Sequence, residues 1–112
     1  MSHDRYSAYR VMWLLVMFDL PTETKRDRKN AAQFRKSLVE NGFTMMQFSV
    51  YLRHCSSKEN GEVHRKRVLA LLPPHGMVNL LSVTDKQFGG MEIYLNTKPA
   101  EELAPQQQLE LF

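Results

Sequence analysis

Residues 11–18, Val-Met-Trp-Leu-Leu-Val-Met-Phe, are apolar at every position and rich in strand formers. Eight residues without polar alternation predict a central strand buried on both faces. Asp19-Leu20-Pro21 ends it. Thr24, three residues before Asp27, is a capping-box-like start and predicts a helix over 25–41, closed at Asn41-Gly42. In that helix Ala31, Phe34 and Leu38 share the face that packs on the sheet. Lys25, Lys29 and Lys36 form a stripe on the solvent side, and Arg28 and Arg35, seven apart, stand at the border of the buried face.

Residues 43–53 read as extended. Val50 and Leu52 alternate with Ser49, Tyr51 and Arg53, the period of a half-buried strand, and 43–46 form a short strand of their own before a tight turn at Gln47. Ser56 with Glu59 predicts a second capping box, opening a helix through Leu72. Val63, Val68, Leu71 and Leu72 are its expected apolar contacts, and Pro73-Pro74 ends it. A third main strand is predicted over 77–83. A fourth is predicted over 91–95, where Met91, Ile93 and Leu95 alternate with Glu92 and Tyr94 after a Gly89-Gly90 turn. Residues 96–108 read as a linker, and Leu109-Glu110-Leu111-Phe112 as a short strand that pairs with a sheet edge, its own or a partner's. The expected organisation is thus one domain over 1–95, with a short N-terminal extension, and a linker and tail over 96–112.

Two helices covering one face of an antiparallel sheet make an α+β, ferredoxin-like βαββαβ sandwich with an additional C-terminal strand. The first strand is apolar on both sides, so the far face is expected to be covered as well. A second copy packed sheet to sheet about a two-fold axis is the simplest cover, and a homodimer is expected.

With 112 residues, 43% hydrophobic and 24% charged, the chain is sized for one domain and excludes a two-domain cofactor enzyme. A lone cysteine, Cys55, cannot form an internal disulfide. No apolar run approaches the roughly 20 residues of a membrane span, and the polar N-terminus carries no signal-peptide pattern. A cytoplasmic protein without membrane contact is expected. The formal charge of +3 is unevenly placed: residues 1–67 carry a net +6 and residues 68–112 a net −3. Six cations, Lys25, Arg26, Arg28, Lys29, Arg35 and Lys36, fall within 24–36 against Asp27 alone. A solvated helix face and a polyanion-facing surface both fit this run. Arg65-Lys66-Arg67, with His64 and Lys58, forms a second cluster, and Arg53 belongs to the Ser49-Tyr51-Arg53 alternation. Contacts from such groups would be to phosphates, without base readout.

Candidate chemistry is sparse. Asp19 ends the central strand before a proline turn and serves either as a turn cap or as a metal ligand. One carboxylate cannot hold a divalent ion, but two brought together by a dimer axis can share Mg²⁺ or Mn²⁺ with waters and phosphate oxygens. His54-Cys55 lacks zinc-type partners at ligand spacing, and no Gly-rich phosphate loop or nucleophile elbow is present.

Taken in order, Val16-Met17-Phe18-Asp19-Leu20-Pro21, the Arg35-Lys36 helix ending Asn41-Gly42-Phe43, then Gln47-Phe48-Ser49-Val50-Tyr51 and Thr84-Asp85-Lys86-Gln87-Phe88 resemble the CRISPR-associated protein Two family of type II systems. The resemblance covers roughly residues 10–95. It implies a ferredoxin-like homodimer seated between dimers of the CRISPR integrase, CRISPR-associated protein One, where both capture prespacer duplex DNA for insertion into the array. It also implies a metal-dependent endoribonuclease or endonuclease with Asp19 at the Mg²⁺ site, and a C-terminal strand, here Leu109, Leu111 and Phe112, at a dimer or integrase interface. Two function classes follow: a DNA-binding scaffold touching phosphates through Lys25, Arg26, Arg28, Lys29, Arg35, Lys36, Arg53, Arg65, Lys66 and Arg67, or a nuclease working through paired Asp19 carboxylates.

Overall fold

The computed structural model describes residues 11–100. The expected tail strand with Leu109, Leu111 and Phe112, and the N-terminal extension, lie outside the described residues. Strand β1 (Met12–Asp19) leads to helix α1 (Lys25–Glu40), then to the hairpin of β2 (Thr44–Gln47) and β3 (Val50–Cys55). Helix α2 (Lys58–Ala70) returns the chain to β4 (Met77–Thr84). The four strands form one antiparallel sheet in the order β2-β3-β1-β4, the ferredoxin-like arrangement read from the sequence.

Strand β1 is central and buried on both sides over residues 13–16, as its unbroken apolar run requires. Leu14, Val16 and Phe18 face the helices and pack with Phe34 and Leu38 of α1, Tyr51 and Cys55 of β3, and Val68 of α2. Trp13 and Leu15 face the other way and pack with Leu52 and Phe88. The expected half-buried alternation of β3 is therefore replaced in its middle by burial on both sides, at Tyr51 and Leu52.

Both halves of the Thr24/Asp27 capping box form, so α1 starts where its polar residues dictate, and Asn41 caps its C-terminus. Gly42 then turns the chain with φ +83°, a conformation that disfavours any side chain, and a β-carbon there would also displace the Arg53 guanidinium that lies over it.

Three further expectations change. The cap of α2 is Ser57, not Ser56: the Ser57 hydroxyl accepts from the Asn60 N–H, while the Ser56 N–H donates to the Asn60 side chain. In this helix His64 and Val68, four apart, are buried, while Val63 and, beyond the helix, Leu72 are exposed. His64 consequently leaves the surface cation cluster in which the sequence placed it.

The predicted fourth strand over 91–95 does not join the sheet. A reciprocal Thr84/Gln87 capping box opens the short helix α3 (Asp85–Gly89), which drives Phe88 into the Trp13 cluster. Only Tyr94–Leu95 (β5) is extended, paired with Lys98–Pro99 (β6) through a turn at Asn96 and Thr97, both with positive φ. The expected linker thus begins inside this small hairpin.

The third change concerns the far face. Part of it is covered by the chain itself: the Phe88 ring stacks on Trp13 at 4.2 Å, and the Trp13 indole donates to Asp85 at 2.7 Å. Toward the Asp19 end the same face is open, with Leu81 49% and Met77 63% exposed.

Candidate functional site

The sheet end where β1 stops gathers most of the chemistry. Asp19 is the last residue of β1, opposite Met77 of β4, and its side chain is exposed. The chain enters β4 at Gly76, where φ is +108° and a β-carbon would stand 2.8 Å from the Asp19 carbonyl oxygen. This close crossing fixes the backbone of Asp19 and leaves the carboxylate facing solvent. Among the described residues no group of three His, Cys, Asp or Glu side chains forms a metal cage. Within one copy, Asp19 is therefore not part of a three-ligand cage. That donor set fits Mg²⁺ only in the sparse manner in which one or two carboxylates act together with waters and substrate phosphates.

The ten candidate cations divide by what they touch. Arg28 donates to the carbonyls of Thr22 and Glu23 at 2.9 and 3.2 Å, bracing the loop that follows Asp19. Arg35 donates to the Phe48 carbonyl and to the Ser49 hydroxyl, and its guanidinium lies over the rings of Phe18 and Phe48, 4.8 and 3.8 Å from their centroids. Arg53 donates to the Asn41 carbonyl at 2.9 Å, supplying a cation to the C-terminus of α1, whose last turn has no basic residue. All three rest on backbone carbonyls and hold loops in place.

Lys36 pairs loosely with Glu40 at 3.9 Å on the surface. Arg65 grips Glu62 through two nitrogens, and that hydrogen bonding holds the Glu62 carboxyl below its ordinary range. Lys25, Arg26, Lys29, Lys66 and Arg67 are exposed and make no hydrogen bond or ion pair among the described residues. Three of these five stand on the first five residues of α1, directly after the loop that Arg28 braces. The arrangement offers a rigid cationic helix end beside an exposed carboxylate, chemistry suited to a phosphate backbone.

Two features escape a reading of the sequence. Beneath α2, His64 is 4% exposed and, among the described residues, its Nδ1 lacks a partner, as does the buried Nε of Arg53. Burial, with Arg53 and Arg67 near it, pushes the His64 pKa down, so the imidazole is held neutral. Its i, i+4 relation to Val68 is the available signal, masked by the basic residues that follow it. The second feature is Phe48 at the tip of the β2–β3 hairpin, 74% exposed yet gripped by Arg35. No sequence pattern connects residues 35 and 48.

Residues 12–91 match the family model described as CRISPR associated protein Cas2. A protein of Flavobacterium psychrophilum named CRISPR-associated endoribonuclease Cas2 is 54% identical over 110 residues, covering 98% of this chain and 96% of the relative. A protein of the same name from Parvibaculum lavamentivorans is 52% identical over 101 residues, covering 90% of this chain and all of the relative. A protein of Rhodospirillum rubrum, named CRISPR-associated endoribonuclease Cas2 2, is 39% identical and covers 94% of this chain and 97% of its own length. With a family match across the four-stranded sheet and all three described helices, and relatives of this similarity along nearly the full chain, the protein belongs to the Cas2 family of CRISPR-associated proteins.

Proposed function

We propose that this protein acts in CRISPR adaptation as a dimeric scaffold that binds prespacer duplex DNA through its phosphates and bridges integrase dimers. The observation that carries this reading is the trio Lys25, Arg26 and Lys29 on one helix end, unpaired among the described residues, with Lys66 and Arg67 on the second helix. A two-fold copy would double that footprint, and the open apolar end of the far face, with Leu81 and Met77, supports a sheet-to-sheet dimer. Replacing Lys25, Arg26 and Lys29 with Ala is expected to weaken duplex binding and to flatten its salt dependence. The slope of log affinity against log salt should fall by about one for each phosphate that is no longer neutralised. An unchanged slope would overturn this reading.

A second reading is favoured by the name the relatives carry, endoribonuclease, and by the exposure of Asp19. Here the Asp19 carboxylates of two copies are ligands for Mg²⁺ or Mn²⁺. The metal supplies polarisation of a phosphate and a more acidic water. The chain's own part is to hold the carboxylates at the strand ends, with Gly76 and the Arg28-braced loop fixing them, and to present phosphates along α1. The two readings separate in a reconstituted integration reaction with the integrase, a short duplex and an array plasmid. A scaffold requires that omitting this protein abolishes integration while Asp19→Ala does not. Loss of both integration and metal-dependent cleavage in a folded Asp19→Ala protein favours the nuclease.

A further inference from the structure

Strand alternation assigns six side chains to the open half of the far face: Met17 and Asp19 of β1, Val50 of β3, and Met77, Asn79 and Leu81 of β4. They share the face of Trp13 and Leu15, while Val78 and Leu80 pack with the cluster under the helices. Of the six, only Asp19 and Asn79 are polar. Both are exposed, and neither side chain makes a hydrogen bond or ion pair among the described residues.

The register brings these two together. Asp19 stands opposite Met77, and Met17 opposite Asn79. Asp19 and Asn79 are therefore diagonal neighbours on one face of an antiparallel pair, with backbones about 7–8 Å apart and β-carbons somewhat closer. Two metal–oxygen bonds of about 2.1 Å, added to two short side chains, span that separation.

The donor chemistry fits a hard divalent cation. Two Asp19 carboxylates brought together about a two-fold axis repel each other, and one doubly charged ion neutralises both. Further carboxylates would leave excess negative charge on an apolar face, whereas a carboxamide adds an oxygen donor without charge. Asn79 is such a donor, and each copy supplies one. No thiolate or imidazole stands among the six side chains, so the donors offered suit Mg²⁺ or Mn²⁺ rather than Zn²⁺. A carboxamide without a partner costs free energy once this half of the face is covered, and coordination removes that cost.

We propose that Asn79 is a metal ligand, its side-chain carbonyl joining Asp19 in an oxygen site for Mg²⁺ or Mn²⁺ that two copies of the chain share. The inference rests on the second reading above, in which paired Asp19 carboxylates hold the metal, and adds to it a neutral ligand from β4.

The test titrates Mn²⁺ into the full chain and follows the loss of the free-ion EPR signal, with sedimentation run on the same samples. Wild type is expected to bind Mn²⁺ with Mg²⁺ competing, and Asp19→Ala to abolish binding. Asn79→Leu keeps the size of the side chain and removes its oxygen. It is expected to weaken Mn²⁺ binding about tenfold or more while sedimenting as wild type does. Asn79→Asp restores an oxygen donor and is expected to bind Mn²⁺ at least as tightly as wild type. Wild-type affinity in Asn79→Leu, with binding lost in Asp19→Ala, would overturn the ligand role alone. Weakened binding in Asn79→Asp would do the same, and that variant decides the matter should Asn79→Leu change the oligomeric state. Absence of Mn²⁺ binding in the wild type, or binding that survives Asp19→Ala, would overturn the paired-carboxylate reading together with it.

Discussion

The two faces of the sheet are closed in different ways. On one, α1 and α2 lie across the strands and bury Leu14, Val16, Phe18, Phe34, Leu38 and Val68 in a continuous cluster. On the other there is no long helix among the described residues. A five-residue helix and one ring, Phe88, cover Trp13, Leu15 and Leu52 at one end, and Leu81 and Met77 stay in solvent at the other. The first face is a core finished by the chain that made it. The second is finished over half its length, and the unfinished half offers room for another apolar surface.

Substitutions rank along this difference. Phe34→Ala on the helix-covered face empties a large, fully enclosed site and is expected to cost about 3–5 kcal/mol in denaturant unfolding. A loss below about 2 kcal/mol would mean that this face is less tightly packed than the geometry indicates. Asp85→Ala on the other face leaves the Trp13 indole N–H without its acceptor and should cost about 1–3 kcal/mol, with a change in tryptophan fluorescence reporting the altered site.

A smaller effect confined to acid pH is expected from His64. Its folded-state pKa lies below the ordinary histidine value of about 6.5, so the unfolded chain takes up the proton first. The stability this imidazole contributes is complete above about pH 6.5 and is lost as pH falls below it. Wild type should therefore lose stability below about pH 6.5 relative to His64→Leu, whose side chain does not titrate. Parallel curves would mean that His64 is protonated equally in both states. The smallest change in monomer stability belongs to Leu81→Ser on the open half, within about 0.5 kcal/mol. The same substitution is expected to weaken self-association in sedimentation, and an unaffected dimer would move the interface elsewhere.

Legibility in the sequence follows the range of the interactions involved. Helix α1 is readable because its signals are local: the Thr24/Asp27 box, the Ala31, Phe34 and Leu38 stripe, and the Asn41-Gly42 exit. The α2 cap falls one residue beyond the expected serine because adjacent serines offer equivalent hydroxyls, and only the fit of His64 and Val68 against the sheet chooses between them. The strand expected over 91–95 shrinks to Tyr94–Leu95 and does not join the sheet, because its alternation competes with a capping box and a buried phenylalanine just upstream. For the cations, the sequence shows charge but not its use: Arg28, Arg35 and Arg53 are held by carbonyls 5 to 13 positions away, while Lys25, Arg26 and Lys29 have no partner among the described residues.

The sequence by itself determined the doubly buried first strand, the two-helix layer, the ferredoxin-like order and the concentration of positive charge in the first half. All of these arise from periodicity and short-range hydrogen bonds, which neighbouring residues specify. Tertiary structure alone decided that Trp13 meets Asp85, that His64 turns inward, and that Arg35 clasps an exposed Phe48. Those pairings join residues far apart in the chain, and only the register of the strands and the crossing of the helices bring them within reach.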